Sequence, residues 1–201
     1  TSGKDSMKND FVADGEKISV PPTVLYSMVT AMEDVRRTVT TDFKQAGDLV
    51  YQTGPTRDEL GGSCFYRLLG HLGANVPRVR PEAAAARYRR LSAAIGRGLV
   101  ASCHDLSDGG LAVALAESCF GGGLGARCSL SEELLAAEDR GSARAGLAAL
   151  FAESHSRFVV SVDPSRRADF EAVLGAEAVL LGEVTAERRL AITWEGEPVA
   201  D

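Results

Sequence analysis

The stretch SCHDLSDGGLAVALAE, Ser102 to Glu117, carries a histidine, two aspartates and a serine directly before a pair of glycines. An apolar run at 99–103 predicts a strand before it, and the alanine-rich run from about Gly109 predicts a helix after it. The polar residues therefore lie in a turn between the carboxyl end of a strand and the amino end of a helix. The alternation of strand and helix on both sides of this turn is the main evidence for the fold.

Free backbone N–H groups at a helix amino terminus, together with the helix dipole, attract anions such as phosphate. Gly109 and Gly110 would let a ligand approach the backbone closely. An aspartate just before such a turn can hold a Mg²⁺ ion that bridges phosphates, and the Ser107 hydroxyl can donate to a phosphate oxygen. The alternative is purely structural, with Ser107 or Asp108 as a helix N-cap and Asp105 as a surface capping or pairing group.

Working outward, the pattern of apolar residues predicts five helices and seven strands. The predicted helices are 60–73, 81–98, 110–120, 143–151 and 165–175. The predicted strands are 23–31, 46–54, 99–103, 124–130, 157–162, 179–184 and 189–194, of which the first is expected to be buried and the last two to form a terminal pair. This pattern predicts an α+β fold, a mixed β-sheet flanked by helices, preceded by the remnant of a β-rich domain.

Composition excludes several classes of protein. The chain has 201 residues and a formal net charge of −6, with no basic patch, which argues against a nucleic-acid partner. No apolar run is long enough for a membrane span. The four cysteines are too widely separated for a zinc site and lack a nucleophile motif, so we expect buried thiols in a cytoplasmic protein.

Four segments together carry a family resemblance: GKDSMKND near the start, then TRDELGGS, HDLSDGGLAVALAE and ESHSRFVVSV. In this order they resemble the second synthetase half of the phosphoribosylformylglycinamidine synthases, which belong to the AIR synthase superfamily. The resemblance implies that 1–44 is the tail of a β-rich domain and that 45–201 is the following α+β domain. It also implies that the chain is a piece of a longer enzyme and is inactive alone.

In that family ATP phosphorylates formylglycinamide ribonucleotide, and ammonia from glutamine then displaces the phosphate. The resemblance implies that Asp105 holds Mg²⁺, that Ser107 and Gly3 contact ATP or ADP, and that Ser6 contacts the ribonucleotide. Lys4 stands where small-form enzymes have a metal-binding asparagine, so no metal role is transferred to it. The expected partners are the first synthetase half and a glutaminase domain, and in large-form enzymes this second nucleotide site is a retained, structural one.

Two other interpretations stay open at the level of sequence. The chain could belong to another ATP-using enzyme of the superfamily, such as AIR synthase or selenophosphate synthetase. It could also be a non-enzymatic interaction domain in which HDLSDGG does no more than start a helix.

Two other segments have structural interpretations. The glycines of TRDELGGS favour close packing of a helix on the sheet, and Arg157 is expected to pair with a neighbour such as Glu153.

Overall fold

The computed structural model describes residues 2–6, 10–19, 23–32 and 34–200. The chain forms two compact units, Thr1–Arg36 and Arg37–Asp201. In the first unit, β1 (Ser2–Ser6) pairs antiparallel with β4 (Thr23–Ser27), and β2 (Asp10–Ala13) pairs antiparallel with β3 (Glu16–Ser19).

The prediction of a buried strand at 23–31 is wrong in two respects. The strand ends at Ser27, and the Tyr26 side chain is 78% exposed. An apolar run indicates that its side chains are suited to burial. Whether this chain covers those side chains depends on residues outside the run.

The second unit is built on a mixed sheet of seven strands. Its strands are β5 (Leu49–Thr53), β6 (Ser102–Asp105), β7 (Gly125–Leu130), β8 (Phe158–Val162), β9 (Ala178–Thr185), β10 (Leu190–Trp194) and β11 (Glu197–Ala200). Their order across the sheet is β11-β10-β7-β9-β5-β8-β6, with β10 parallel to β7 and every other neighbouring pair antiparallel. The predicted pairing of 179–184 with 189–194 is therefore wrong, because β7 lies between those two strands.

Helices cover both faces of the sheet, which confirms the predicted fold class. They are α1 (Cys64–Leu68), α2 (Pro81–Gly96), α3 (Gly110–Gly122), α4 (Ala145–Phe151) and α5 (Arg167–Leu174). The central strand β5 shows how the two layers are separated, since successive side chains of a strand point to opposite faces. Val50 belongs to the core beneath α3, while Tyr51 belongs to the core beneath α2 and α5, where it contacts Phe170.

Two segments differ from their predicted bounds. The helix predicted over 60–73 is shortened to α1, because Gly70 and Gly73 adopt positive φ angles of 74° and 71° that a continuing helix does not contain. The strand predicted over 99–103 is displaced to 102–105, so that Asp105 is its last residue. None of the described helices is both long and apolar enough to cross a membrane.

Residues 37–44 belong to the second unit and hydrogen-bond to its α3 and β6. The Phe43 N–H donates to the Ser118 carbonyl at 3.0 Å, and the Cys103 N–H donates to the Thr40 carbonyl at 3.0 Å. The compact units thus divide at 36/37, a few residues before the predicted boundary at 44/45. The identity of 1–44 as the tail of a β-rich domain and of 45–201 as the α+β domain stays a prediction.

Candidate functional site

The turn after β6 places Asp105 at the open end of the sheet's edge strand. The next residue, Leu106, is buried, and its N–H donates to the Arg157 carbonyl at 3.0 Å. This anchor holds the backbone of the turn against β8. The Asp105 side chain, in contrast, is 61% exposed and faces away from the core.

Two neighbours, Ser107 and His104, contact the Asp105 carboxylate. The Ser107 hydroxyl donates to Oδ2, and His104 Nδ1 lies 3.5 Å from Oδ1. On its other side, His104 Nε2 contacts the Glu117 carboxylate at 2.9 Å. The Ser107 hydrogen bond is the largest cause that holds the pKa of Asp105 below its usual value, so the group is a carboxylate at neutral pH.

The start of α3 does not use a local side-chain cap. Gly109 is the N-cap, with a φ of 80° and no side-chain hydrogen bond of its own, so the alternative of Ser107 or Asp108 as N-cap is wrong. The acceptor comes from a distant residue instead. Glu153 Oε1 accepts the Gly109 N–H at 2.8 Å and also the Cys64 N–H, at the start of α1, at 2.8 Å. One carboxylate therefore serves the amino ends of two helices.

Gly110 is required by packing. Its φ is 68°, and a Cβ at this position would lie 2.7 Å from the Ala152 carbonyl oxygen and 2.9 Å from the Leu150 carbonyl oxygen at the end of α4. The Gly110 N–H donates to the Ser107 carbonyl at 3.0 Å. The amides of both glycines thus have acceptors within the chain, and their predicted role at phosphates stays a prediction.

A cleft of about 380 Å³ opens beside this turn. Its lining includes three acidic residues, Asp105, Asp108 and Glu153, together with Ser107 and the buried Arg157. Such a surface repels phosphate unless a cation is present. Mg²⁺ is usually held by one or two carboxylates plus water and phosphate oxygens, and the exposed, ionised Asp105 is a donor of that kind.

A second group of possible metal ligands lies at the inner end of the turn. The ligand atoms of Cys64, Asp108 and Glu153 are all within 4.8 Å of one another. A thiol ligand suits softer ions than Mg²⁺, and Glu153 already accepts two backbone N–H groups. Of the two arrangements, Asp105 has the chemistry that fits Mg²⁺ better.

The sequence indicated an ion pair between Arg157 and Glu153, and this expectation is wrong. Arg157 is only 1% exposed, and its guanidinium donates to Thr56 Oγ1 at 2.8 Å, to the Ser154 carbonyl at 2.9 Å and to the Ala152 carbonyl. Burial lowers the pKa of Arg157 to about 9. It remains a cation at neutral pH and fixes the segment that carries Glu153. In the sequence, the one sign that Arg157 fixes this segment is its short distance along the chain from Ala152.

The remaining predicted positions lie elsewhere. Gly3 and Ser6 are in β1, opposite Tyr26 and Thr23 of β4, and their roles toward ATP and the ribonucleotide stay predictions. In TRDELGGS, a Cβ on Gly61 would lie 2.7 Å from the Asn75 backbone, so the close approach is to a loop and not to the sheet.

Burial raises the pKa of three cysteine thiols. It raises the pKa of Cys103 and Cys119 to about 11 and that of Cys128 to about 12. These thiols are protonated at neutral pH, which is the opposite of what a nucleophile needs.

Several solved structures share the fold. PurL of Thermotoga maritima complexed with FGAR is 20% identical, with a TM-score of 0.67 over 82% of this chain and 28% of that chain. The same protein complexed with ATP is 19% identical, with a TM-score of 0.62 over 82% and 26%. HypE of E. coli, a hydrogenase maturation protein, is 20% identical, with a TM-score of 0.60 over 82% and 51%.

The chain thus spans about a quarter of the length of PurL and half that of HypE. Residues 45–195 match the family described as AIR synthase related protein, C-terminal domain. This match begins close to the predicted start of the α+β domain and includes the Asp105 turn, Glu153 and Arg157. The chain belongs to the AIR synthase related family, of which it contains the C-terminal domain.

Proposed function

We propose that this chain is part of a phosphoribosylformylglycinamidine synthase, a purine-pathway ligase that uses ATP and glutamine-derived ammonia. Within it, the chain contributes part of a Mg²⁺–nucleotide site and has no catalytic residue of its own. The four motifs and the likeness to PurL structures, which were obtained with ATP, ADP, AMPPCP and FGAR, support this assignment. The proposed partners are the first synthetase half and the glutaminase domain.

The observation that carries the proposal is the state of Asp105. Its carboxylate is ionised, largely exposed and part of the lining of an acidic cleft, where it contacts the Ser107 hydroxyl and the His104 ring. A nucleotide tail would meet Asp105, Asp108 and Glu153 there, and like charges repel. Mg²⁺ removes that repulsion, because it binds carboxylate and phosphate oxygens at the same time. Nucleotide binding should therefore depend strictly on a divalent cation.

In this site the chain's own residues bind and orient. Asp105 would hold the ion, and the Ser107 hydroxyl, which donates to Asp105 in this structure, would donate to a phosphate oxygen instead. Gly109 and Gly110 provide backbone at the same turn. By the family resemblance alone, Gly3 is assigned to the nucleotide and Ser6 to the ribonucleotide. Mg²⁺ supplies charge neutralisation for phosphoryl transfer or, in a retained site, for permanent nucleotide binding.

Calorimetry with ADP tests the proposal. Wild-type protein should bind ADP with Mg²⁺ and not with EDTA, and Asp105→Asn should weaken binding at least about tenfold, the effect of losing one charged ligand. Asp169→Asn removes an exposed carboxylate from α5 and serves as the matched control. Equal binding by wild type and Asp105→Asn would remove the metal role. Because the chain supplies only part of the proposed site, the titration is repeated with the preceding domain added. A wild type that binds no nucleotide in either form would favour the alternative of a non-enzymatic interaction domain.

A second candidate is another ATP-using enzyme of the superfamily. The HypE structure has a TM-score close to those of the PurL structures, and this similarity supports the second candidate. The two candidates differ in the second substrate. Saturation-transfer NMR with formylglycinamide ribonucleotide in the presence of Mg²⁺–ADP separates them, since only the purine enzyme has a use for that ribonucleotide.

A further inference from the structure

A second cleft lies next to the Asp105 cleft and has the opposite charge. It shares His155 and Ser156 with the acidic cleft, and four arginines contribute to its lining. These are Arg57, Arg78, Arg80 and Arg87. Among the described residues that line it there is no aspartate or glutamate. Several guanidinium groups around one small space repel one another unless an anion lies between them.

Arg87 is a built part of this cleft. Its side chain is only 6% exposed, its Nε donates to Glu177, and its Nη1 donates to the Ser156 carbonyl at 2.8 Å. A Cβ on Gly54 would lie 2.6 Å from the Arg87 guanidinium, and Gly54 has a φ of 82°. The glycine thus leaves space for a buried guanidinium that contacts the loop between the two clefts.

The other arginines are paired at the outside of the cleft or are unpaired. Arg57 contacts Glu138, and Arg80 donates to Glu59 through two nitrogens, each at 3.1 Å. Arg78 is exposed, and within the described part of the chain it makes no ion pair. Glu138, Glu59 and Glu177 therefore pair with three of the four guanidiniums, and none of these carboxylates lines the cleft. The fourth guanidinium, that of Arg78, gives the cleft a net positive charge.

The amino end of α2 adds to this field. Arg80 is the N-cap of that helix and provides no side-chain cap, and Ala83 and Ala84 of the first turn line the cleft. Pro81 has no N–H and the Ala84 N–H donates to the Arg80 carbonyl at 2.9 Å, so the partial positive charge of this first turn comes from the N–H groups of Glu82 and Ala83. The helix is 16 residues long, so its dipole is fully developed.

We propose that this arginine cleft is a binding site for one tetrahedral oxyanion, in the form of inorganic phosphate or the phosphoryl group of a phosphate monoester. Its volume is about 50 Å³. This is room for about three or four waters, close to the size of a single phosphate. Planar guanidiniums match phosphate oxygens through paired N–H donors, which makes arginine the preferred residue for this ligand.

The site goes beyond the proposed function, because it needs no metal and uses none of the residues assigned to the nucleotide. The Ser156 segment separates the two sites. Ser156 has a φ of 66°, unusual for a residue with a side chain, and its hydroxyl lies 2.9 Å from the Tyr88 hydroxyl. A phosphate in the arginine cleft would contact the loop that also carries Glu153 and Arg157.

Calorimetric titration with inorganic phosphate, in a buffer with EDTA and without sulfate, tests the site. Wild type should bind one phosphate, and Arg78→Gln should weaken binding about tenfold, as expected for a charge-assisted hydrogen bond. Ala83→Glu places a carboxylate in the cleft, so it should abolish phosphate binding and raise the melting temperature. Arg89→Gln, an exposed arginine of α2 that does not line the cleft, is the matched control and should bind like wild type.

Absence of phosphate binding by wild type would overturn the proposal, as would equal weakening in Arg78→Gln and Arg89→Gln. Competition with ribose 5-phosphate separates the two sources, because a site for a phosphorylated metabolite prefers the monoester and a site for free phosphate does not. Asp105→Asn should leave this metal-free binding unchanged. That result keeps the test independent of the nucleotide proposal.

Discussion

Glu153 Oε1 accepts the N–H of Gly109 at 2.8 Å, across 44 positions of sequence. Because the same oxygen accepts the Cys64 N–H, this carboxylate connects the first turns of α1 and α3 beside the Asp105 cleft. Its negative charge lies at the amino ends of both helices, where it is electrostatically favourable. Glu153 thus holds the backbone of the site in place. Its charge also adds to the negative charge of the cleft, which a bound cation would offset.

The first prediction concerns this connection. Glu153→Ala removes the acceptor of two backbone N–H groups and should lower the free energy of unfolding by about 2 to 3 kcal/mol. Glu153→Gln keeps an acceptor oxygen and should lose less than half of that. Urea denaturation measures both, and equal losses in the two variants would show that charge alone, rather than the hydrogen bonds, is responsible.

A second prediction compares a glycine that close packing requires with a glycine that has open space around it. Gly110→Ala should destabilise the protein by more than about 2 kcal/mol, because of the positive φ and the contact with the Ala152 carbonyl. Gly96→Ala, at the last residue of α2 and with open space around it, should be neutral or stabilise by up to about 1 kcal/mol. Thermal denaturation of the pair checks this, and similar losses in both would argue against the described packing of Gly110.

The third prediction concerns the buried cation. Arg157→Met keeps much of the side-chain volume but removes the Arg157 donor from two carbonyls and one of the two donors to the Thr56 hydroxyl oxygen, the other being Gln52 Nε2. We expect a loss of about 3 kcal/mol or more in unfolding free energy. Thr56→Val removes one of these acceptors and should lose about 1 to 2 kcal/mol. An Arg157→Met protein as stable as wild type would contradict the assigned contacts.

A fourth prediction follows from the pKa of Asp105. Its folded value is lowered chiefly by the Ser107 hydrogen bond, so this contribution to stability is present above the unfolded pKa of about 3.9 and is lost as pH falls through the folded pKa. Ser107→Ala should therefore be less stable than wild type at pH 6, and the difference should shrink toward pH 2. Denaturation curves across this range measure it; a difference that is constant with pH would contradict the assigned cause.

Local patterns predicted the parts of the fold that depend on local physics. The Ala- and Arg-rich composition of α2 with Pro81 at its start, the apolar run of α3 after the glycines, and the short run of β5 before Gly54 identified these elements within a few residues. Strand order depends on contacts between distant residues, so β7 between β9 and β10 was not visible. The local pattern at Asp105 identified an acidic turn, whereas the acceptor for Gly109 comes from Glu153 in a loop 44 residues away.

The same distinction applies to charge. Sequence gives the number of arginines but not their arrangement, and Arg57, Arg80 and Arg87 come together only because β5, the loop before α2 and α2 itself meet near Ser156. Arg157 was expected at a charged strand end, yet the fold buries it almost completely. Burial of a charge is decided by neighbours from other segments, here Thr56 and Ala152.

The proposed nucleotide site depends on a divalent ion that is held by Asp105 and carries the nucleotide. Paramagnetic line broadening by Mn²⁺–ADP, in place of the magnesium complex, tests it most directly in an amide NMR spectrum. If Asp105 holds the ion, the amides of 104–110 and of Glu153 broaden, those of α5 stay sharp, and Asp105→Asn abolishes the effect. Sharp 104–110 signals with wild-type protein, or the same broadening in the variant, would contradict it.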